Sequence, residues 1–399
     1  MADDASQFSA AEPALGYLYQ IRYALLEILR QPEESICFIE KDDDVDFLDP
    51  EEGRILASLK HKAPGDTLTD LSPDFWKSVR IWLTDYLKNS DGPVPVRYYL
   101  VTTGRVQIGS LLSAFLPDAP FPDNLVVRIE ATLAGSNSKT IKKTRDLLET
   151  LAKERWASFF RRITIFDRQQ RINEIPQLVM AELKAVRPKS RPSVFQRLEG
   201  WWVDACIKLL TGKRVEAFRG GEVWEMVSFF SEQFRDENLP IDFEDAEPEG
   251  GIHPETDDRN FVRQLRAIGL GTSRISRAIL DYYQASQQRG AWLRESATLD
   301  GELERYDKRL VREWARIREI TFDGHKTDAP EVVLQTLGKK LFNDLSTREN
   351  LDLRIRRDVT ASFVVLGSYH ILANEEKPRV YWHPRFPERI TEILQGRST

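Results

Sequence analysis

Only two cysteines, Cys37 and Cys206, occur in 399 residues, far apart and each among apolar neighbours. That excludes a disulfide framework and a cysteine-based zinc site, and it fits a reducing compartment. No stretch approaches the ~18 uninterrupted apolar residues of a membrane-spanning helix. The opening Met-Ala-Asp-Asp lacks the basic region and apolar run of a secretory signal. The expected location is therefore the cytoplasm, with no membrane contact. Positive charge is also short: 57 Lys and Arg stand against 63 Asp and Glu, a net charge of −6. Affinity for DNA rests largely on Lys and Arg that neutralise phosphates, so one acidic copy is a poor general binder of polyanions. The basic residues do cluster at Lys139–Lys143 with Arg145, at Arg161–Arg162 and at Arg187–Lys189–Arg191, patterns that most often mark solvated faces. The five histidines are scattered and show neither HExxH nor Cys/His spacing. Gly269–Arg274 lacks the lysine and spacing of a Walker A loop, so the chain is not itself an ATPase.

What is present suffices for two cores. The length exceeds that at which single cores stop growing, and 9 Trp and 20 Phe supply large apolar side chains for both. Residues 13–30 carry apolar positions at three- and four-residue steps and predict a helix. Ser35–Glu40 predicts a short strand. Asp44–Asp49 alternates polar and apolar residues, Pro50–Gly53 makes a turn, and Arg54–His61 predicts a second strand, so the pair forms a β-hairpin. A helix over 71–89, a strand over 94–103, helices over 139–153 and 172–185 and a strand over 162–166 complete an α/β first half. The stretch Arg187-Pro-Lys-Ser-Arg-Pro192 reads as a linker. Beyond it the periodicity is almost wholly helical, with Ser362–Ile371 and Val380–Trp382 open to short strands or buried helix. The expected organisation is a domain over 1–186, a linker over 187–192 and a helical domain over 193–399.

Side chains alternate across a strand. On the hairpin this puts Asp44 and Asp46 on one face of the first strand and Ser58 and Lys60 on one face of the second, with the apolar residues turned to the core. Glu40, ending the preceding strand, can approach the same spot. Paired carboxylates beside a lysine suit phosphodiester hydrolysis. A hard cation polarises the phosphoryl oxygen and acidifies the attacking water, and Mg²⁺ needs few carboxylates because it keeps several waters. The Leu59 carbonyl can add a ligand, and the lysine orients water or offsets charge developing on the phosphate. Taken without their context, the same residues also read as a solvated acidic turn and an ordinary strand lysine.

The ordered set Gly16-Tyr-Leu-Tyr-Gln20, Ile39-Glu40, Asp43-Asp44-Val45 and Ser58-Leu59-Lys60-His61 resembles the PD-(D/E)xK restriction-endonuclease-like domain. More narrowly, it is similar to the double-stranded-DNA endonuclease domain of bacterial antiphage effectors, the type attached to cyclic-oligonucleotide sensors and found in Lamassu systems. Phe75-Trp76-Lys77 through Trp82 and Tyr99-Leu-Val-Thr-Thr103 also match that branch. The likeness covers roughly residues 11–185. It implies that Glu40, Asp44 and Lys60 are catalytic, with Mg²⁺ or Mn²⁺ held by Glu40, Asp44 and the Leu59 carbonyl. Gln20 braces the site, and Ser58 and Asp46 support it. One position departs from the pattern: the family usually has Glu or Gln two residues before the lysine, and this chain has Ser58.

The second half resembles the C-terminal helical domains of ABC-three-component systems, on Leu198–Trp202, Phe234, Asn238–Asp242, Phe261–Leu265, Ala278–Tyr283 and Arg289–Leu293. Read as residues, these are mainly aromatic positions of amphipathic helices that pack a core. The resemblance implies an SMC-like ABC ATPase and a small third subunit as partners, and a homo-oligomer, dimer or tetramer, as the active form. The expected function is a metal-dependent endonuclease cutting double-stranded DNA in a defence complex, held inactive until released or self-associated. The alternative is a catalytically weak or inactive nuclease-fold subunit that binds DNA or partners. The chemistry alone does not separate DNA from RNA.

Overall fold

The computed structural model describes residues 11–89, 92–324, 329–346 and 353–386. The chain divides into two compact units, Met1–Phe230 and Ser231–Thr399.

In the first unit α1 (Ala11–Arg30) leads into three strands, β1 (Ile36–Ile39), β2 (Val45–Asp49) and β3 (Gly53–Lys60). Next come β4 (Thr67–Leu68), α2 (Pro73–Asn89), β5 (Val96–Thr102), β6 (Arg105–Val106), α3 (Leu125–Ala134), α4 (Lys139–Leu148) and α5 (Lys153–Phe160). The unit continues through β7 (Ile163–Phe166), α6 (Ile175–Glu182), α7 (Arg191–Leu210), β8 (Phe218–Arg219) and into α8 (Gly220–Glu232). The main sheet has the order β7-β5-β3-β2-β1-β8. From β8 through β1 and β2 to β3 each strand is antiparallel to its neighbour, whereas β3, β5 and β7 run parallel. A parallel neighbour requires a crossover, and α2 supplies it between β3 and β5.

The hairpin turn is chemically specified. The Asp49 carboxylate accepts hydrogen bonds from the Glu51 and Glu52 amides at 2.7 and 2.6 Å. Gly53 then adopts φ +85°, where a Cβ would lie 2.4 Å from the Pro95 carbonyl oxygen. The turn sets the register Val45↔Ala57 and Asp49↔Gly53, and the same strand carries Lys60 opposite Thr102 of β5.

Both faces of this hairpin are covered, which corrects the expectation of one polar face. Leu56 of β3 and Tyr98 and Leu100 of β5 join Phe75, Val79, Trp82 and Leu83 of α2 in one core. On the opposite face Ile39, Val45, Ala57 and Leu59 are buried, and α1 lies against β1 and β3.

The expected linker is also corrected. Pro188 opens a 3-10 turn and Pro192 sits in the first turn of α7, positions where a missing N–H costs nothing. The Trp202 indole of α7 donates to the Ile21 carbonyl at 2.8 Å, and β8 then pairs with β1, so this segment belongs to the first unit. The expected helix over 139–153 is likewise two pieces, α4 and α5, and that over 172–185 is the shorter α6.

The second unit is helical: α9 (Asn260–Ala267), α10 (Thr272–Arg294), α11 (Glu302–Phe322), α12 (Glu331–Ser346) and α13 (Ser362–Asn374). Phe261, Leu265, Trp292, Tyr306, Trp314, Leu341, Tyr369 and Trp382 share its core. The Gln288 and Trp292 side chains hold the Pro240–Phe243 segment on α10. Ser362–Ile371 is therefore buried helix, and Val380–Trp382 is buried without regular structure. No helix of the described residues is long and apolar enough to cross a membrane.

Candidate active site

The loop between β1 and β2 brings Glu40 and Asp44 to the end of β3. Its ends are tied by the Glu40 amide, which donates to the Asp44 carbonyl at 3.1 Å. Glu40 takes φ +54°, a left-handed conformation that is uncommon for residues other than glycine. Strain of this kind persists where the surroundings over-determine it, often at functional sites.

Asp44 is the centre of the cluster. Its Oδ2 accepts from the Leu59 amide at 2.6 Å, from Lys60 Nζ at 3.2 Å and from Ser58 Oγ at 3.4 Å. Lys60 Nζ also donates to the Leu59 carbonyl at 3.2 Å. The pair keeps access to water, with about a fifth of each side chain exposed: 22% for Lys60 and 20% for Asp44. The Glu40 carboxyl holds its proton more tightly than usual. Partial burial and the Asp44 charge raise its pKa, against a hydrogen bond from Gln20 and the charge of Lys60. Gln20 reaches this point from α1, buried, with its Oε1 left without a partner. Five of the anticipated site residues thus converge: Gln20, Glu40, Asp44, Leu59 and Lys60.

Ser58 converges in another role. It is buried, and its hydroxyl accepts from Ser78 Oγ of α2 at 2.8 Å. It fastens β3 to the crossover helix and sets the floor beneath Asp44.

Asp46 does not converge. Strand alternation carries over only within β2, and Asp44 lies one residue before that strand begins. The Asp46 Oδ2 accepts from the Asp42 amide at 3.1 Å, and the charges that act on it are Asp42, Arg54 and Asp43. Burial pushes its pKa up to about 7. Because the folded state binds this proton more tightly than the unfolded chain, its contribution weakens stability as pH rises from about 4 to about 7. Asp46→Asn is therefore expected to stabilise the first unit at pH 8 by roughly 2–4 kcal/mol and to flatten its pH dependence. Thermal melts at pH 5 and pH 8 check this, and a variant that melts lower than wild type at pH 8 contradicts it.

Sequence reasoning missed a brace behind the site. Asp43 Oδ1 accepts from the Asp44 amide at 3.0 Å, and its Oδ2 accepts from the Trp82 indole of α2 at 2.5 Å. Burial, then the Asp44 charge, pushes the Asp43 pKa up to about 6. Both residues lie inside motifs that the resemblance rests on, but nothing local ties an aspartate to an indole 39 residues away. His61 follows the last residue of β3, its ring 5.2 Å from that of Tyr19 of α1, outside the carboxylate cluster.

The donor set is all oxygen: two carboxylates, a backbone carbonyl and, beside them, the unpartnered Gln20 Oε1. Among the described residues no group of three or more His, Cys, Asp or Glu side chains is disposed to hold a metal. These residues fit a hard divalent cation that retains several waters, and they do not fit a closed zinc-type site.

Comparison with known proteins bears on the second half. Residues 261–390 match the model of C-terminal domain 7 of the ABC-three component (ABC-3C) systems. The matched residues lie within the second unit. The match spans α9 to α13, and it supports a place for the chain among the components of an ABC-three component system. Among curated proteins nothing matches. Among solved structures the chain overlays on the Cap4 SAVED/CARF-domain containing receptor of Moraxella osloensis at 12% identity and a TM-score of 0.34, covering 69% of this chain and 68% of that one. The Acinetobacter baumannii Cap4 receptor with 2'3'3'-cAAA gives 11% identity, a TM-score of 0.33, 64% of this chain and 57% of that one. Superpositions at that score do not establish a common fold.

Proposed function

We propose that the chain is a metal-dependent endonuclease effector of a bacterial defence complex against phage and plasmids, and that it cuts double-stranded DNA. The observation that carries this reading is the Asp44 carboxylate meeting Lys60 Nζ and the Leu59 amide, with Glu40 on the same loop. The order α1-β1-β2-β3-α2-β5, an antiparallel meander followed by a helical crossover to a parallel strand, supports a restriction-endonuclease-like core.

Glu40 and Asp44, with the Leu59 carbonyl, would hold Mg²⁺ or Mn²⁺. The ion, when bound, supplies electrophilic polarisation of the phosphodiester and a more acidic water. The chain's own groups do the rest. Repulsion between Glu40 and Asp44 favours a cation between them. Lys60, held by Asp44 and the Leu59 carbonyl, presents its ammonium where charge develops on the phosphate. Gln20 fixes Glu40 from α1, and Asp43 fixes Asp44 from behind.

The second unit docks to an SMC-like ABC ATPase and a small third subunit in this reading, and the complex works in the cytoplasm with the nuclease restrained. The net charge of −6 makes a single copy a weak general binder of duplex, which supports a scheme in which the nuclease acts only after release and self-association, as dimer or tetramer. The overall scheme resembles the Lamassu nuclease subunit. A second reading, an inactive nuclease-fold scaffold, is favoured by one observation: Ser58 stands where the resembled family usually has Glu or Gln, and it is already engaged by Ser78.

The test is digestion of duplex DNA, single strands and RNA side by side with the released subunit and Mg²⁺, its mass followed by photometry. Cutting of duplex DNA by an oligomer is expected. Metal-independent assembly with partners and no cutting of any substrate would favour the scaffold, and cutting confined to RNA would reassign the substrate.

A further inference from the structure

The basic pair Arg161–Arg162 has no part in the site above. It lies where α5 turns into β7, at the edge of the main sheet. There a solvent-open pocket of about 420 Å³ is lined by Arg97, Tyr99, Arg161, Arg162 and Thr164, among others. The turn is held by its backbone, because the Arg162 amide donates to the Phe159 carbonyl at 3.0 Å and the Tyr98 amide donates to the Arg162 carbonyl at 2.8 Å. The guanidinium of Arg161 rests over the Phe121 ring at 4.8 Å, and that of Arg162 over the Tyr86 ring at 5.0 Å. Stems stacked this way lose little further freedom when the heads bind an anion. Of the three arginines only Arg97 has an ion pair among the described residues, with Glu52 at 3.0 Å. Arg161 and Arg162 thus both line one pocket in a chain of net charge −6, beside Thr164, whose hydroxyl can donate.

We infer that this pocket is a phosphate-binding subsite, built for adjacent phosphates of a phosphodiester chain and separate from the hydrolytic cluster. The planar, always-charged guanidinium matches phosphate oxygens two at a time. The parallel register puts Arg54 opposite Val96 and Lys60 opposite Thr102, so the pocket and the cluster occupy opposite ends of β5. At ~3.3 Å per residue the two lie roughly 20 Å apart. A nucleic acid bound here is gripped well away from the scissile bond. The inference that the anion belongs to nucleic acid rests on the nuclease reading; the phosphate chemistry itself does not.

The test measures binding in EDTA, where cutting plays no part, with full-length wild type and the Arg161→Gln/Arg162→Gln variant, which keeps polar side chains at both positions and removes both charges. Fluorescence anisotropy of a short labelled duplex is expected to show about a tenfold loss of affinity in the variant and a salt slope lower by about 2. Calorimetry with inorganic pyrophosphate forms the second arm. Binding of pyrophosphate to wild type alone, with duplex affinity equal in both proteins, keeps the subsite and assigns it to a free phosphate-bearing molecule. Equal duplex affinity, equal salt slope and no wild-type-specific pyrophosphate binding overturn the proposal. Duplex loss in the variant together with a wild type that never cuts in Mg²⁺ leaves the subsite standing and removes the nuclease reading. Melts of both proteins establish that the variant is folded.

Discussion

Lys60→Ala is expected to slow plasmid cleavage by about 10²–10³-fold while the melting temperature of the first unit hardly moves. The two halves of this expectation come from different physics. Lys60 Nζ is held at 3.2 Å from both the Asp44 carboxylate and the Leu59 carbonyl, so its charge is aimed before substrate arrives. A preorganised charge of that kind acts mainly on the transition state, where the phosphate oxygens become more negative. Its loss costs the fold little, because the Asp44 carboxylate keeps the Leu59 amide and the Ser58 hydroxyl as hydrogen-bond donors and retains access to water. Loss of folding together with loss of cutting would mean that Lys60 is structural. Undiminished cutting would place the chemistry elsewhere.

The largest expected effect on stability lies in the second unit. Gly367 of α13 faces α10 so closely that a Cβ would lie 2.0 Å from the Asp281 carbonyl oxygen and 2.5 Å from Ala285 Cβ. The first obstacle is the backbone of a neighbouring helix, which cannot rotate away. Gly367→Leu is therefore expected to destabilise the second unit by more than ~3 kcal/mol, beyond ordinary overpacking, because the helices must separate. Limited proteolysis and thermal melts of the full chain check this. An unchanged midpoint for the second unit would show that α10 and α13 do not pack this closely.

How much of the fold and the site is legible in the sequence depends on whether the signal is local. The hairpin's two strands and its turn are legible, because Pro50–Gly53 marks one turn and the turn sets the register that carries Lys60, whereas the covering of both its faces is set by packing from α1 and α2. Glu40, Asp44 and Lys60 follow from that register and the short loop before it. Asp46 is misplaced when period-two alternation is extended one residue past the start of β2, into a loop that obeys its own hydrogen bonds. Gln20 is reached only through resemblance, since a helix more than 20 residues upstream of the hairpin's lysine says nothing local about which strand end it meets. Ser78 with Ser58, and Trp82 with Asp43, are contacts between a helix and a sheet, set by tertiary packing. The boundary at Phe230 is hidden because prolines opening helices look like prolines in a linker, and because β8 reaches back to pair with β1. The helical second half is the easier reading, since long amphipathic periods announce themselves and the aromatic positions singled out, Phe261 and Trp292 among them, are core.

The measurement that bears most directly on the central claim is cleavage of supercoiled plasmid by the released full-length chain, with Mg²⁺ or with EDTA, for wild type and Asp44→Asn. Asn keeps the shape of the side chain and an acceptor for the Leu59 amide, and removes the charge that would hold the cation. The account predicts linear DNA from wild type with Mg²⁺, none with EDTA, and none from Asp44→Asn with either. Cutting by Asp44→Asn at the wild-type rate, or cutting by wild type in EDTA, would contradict it.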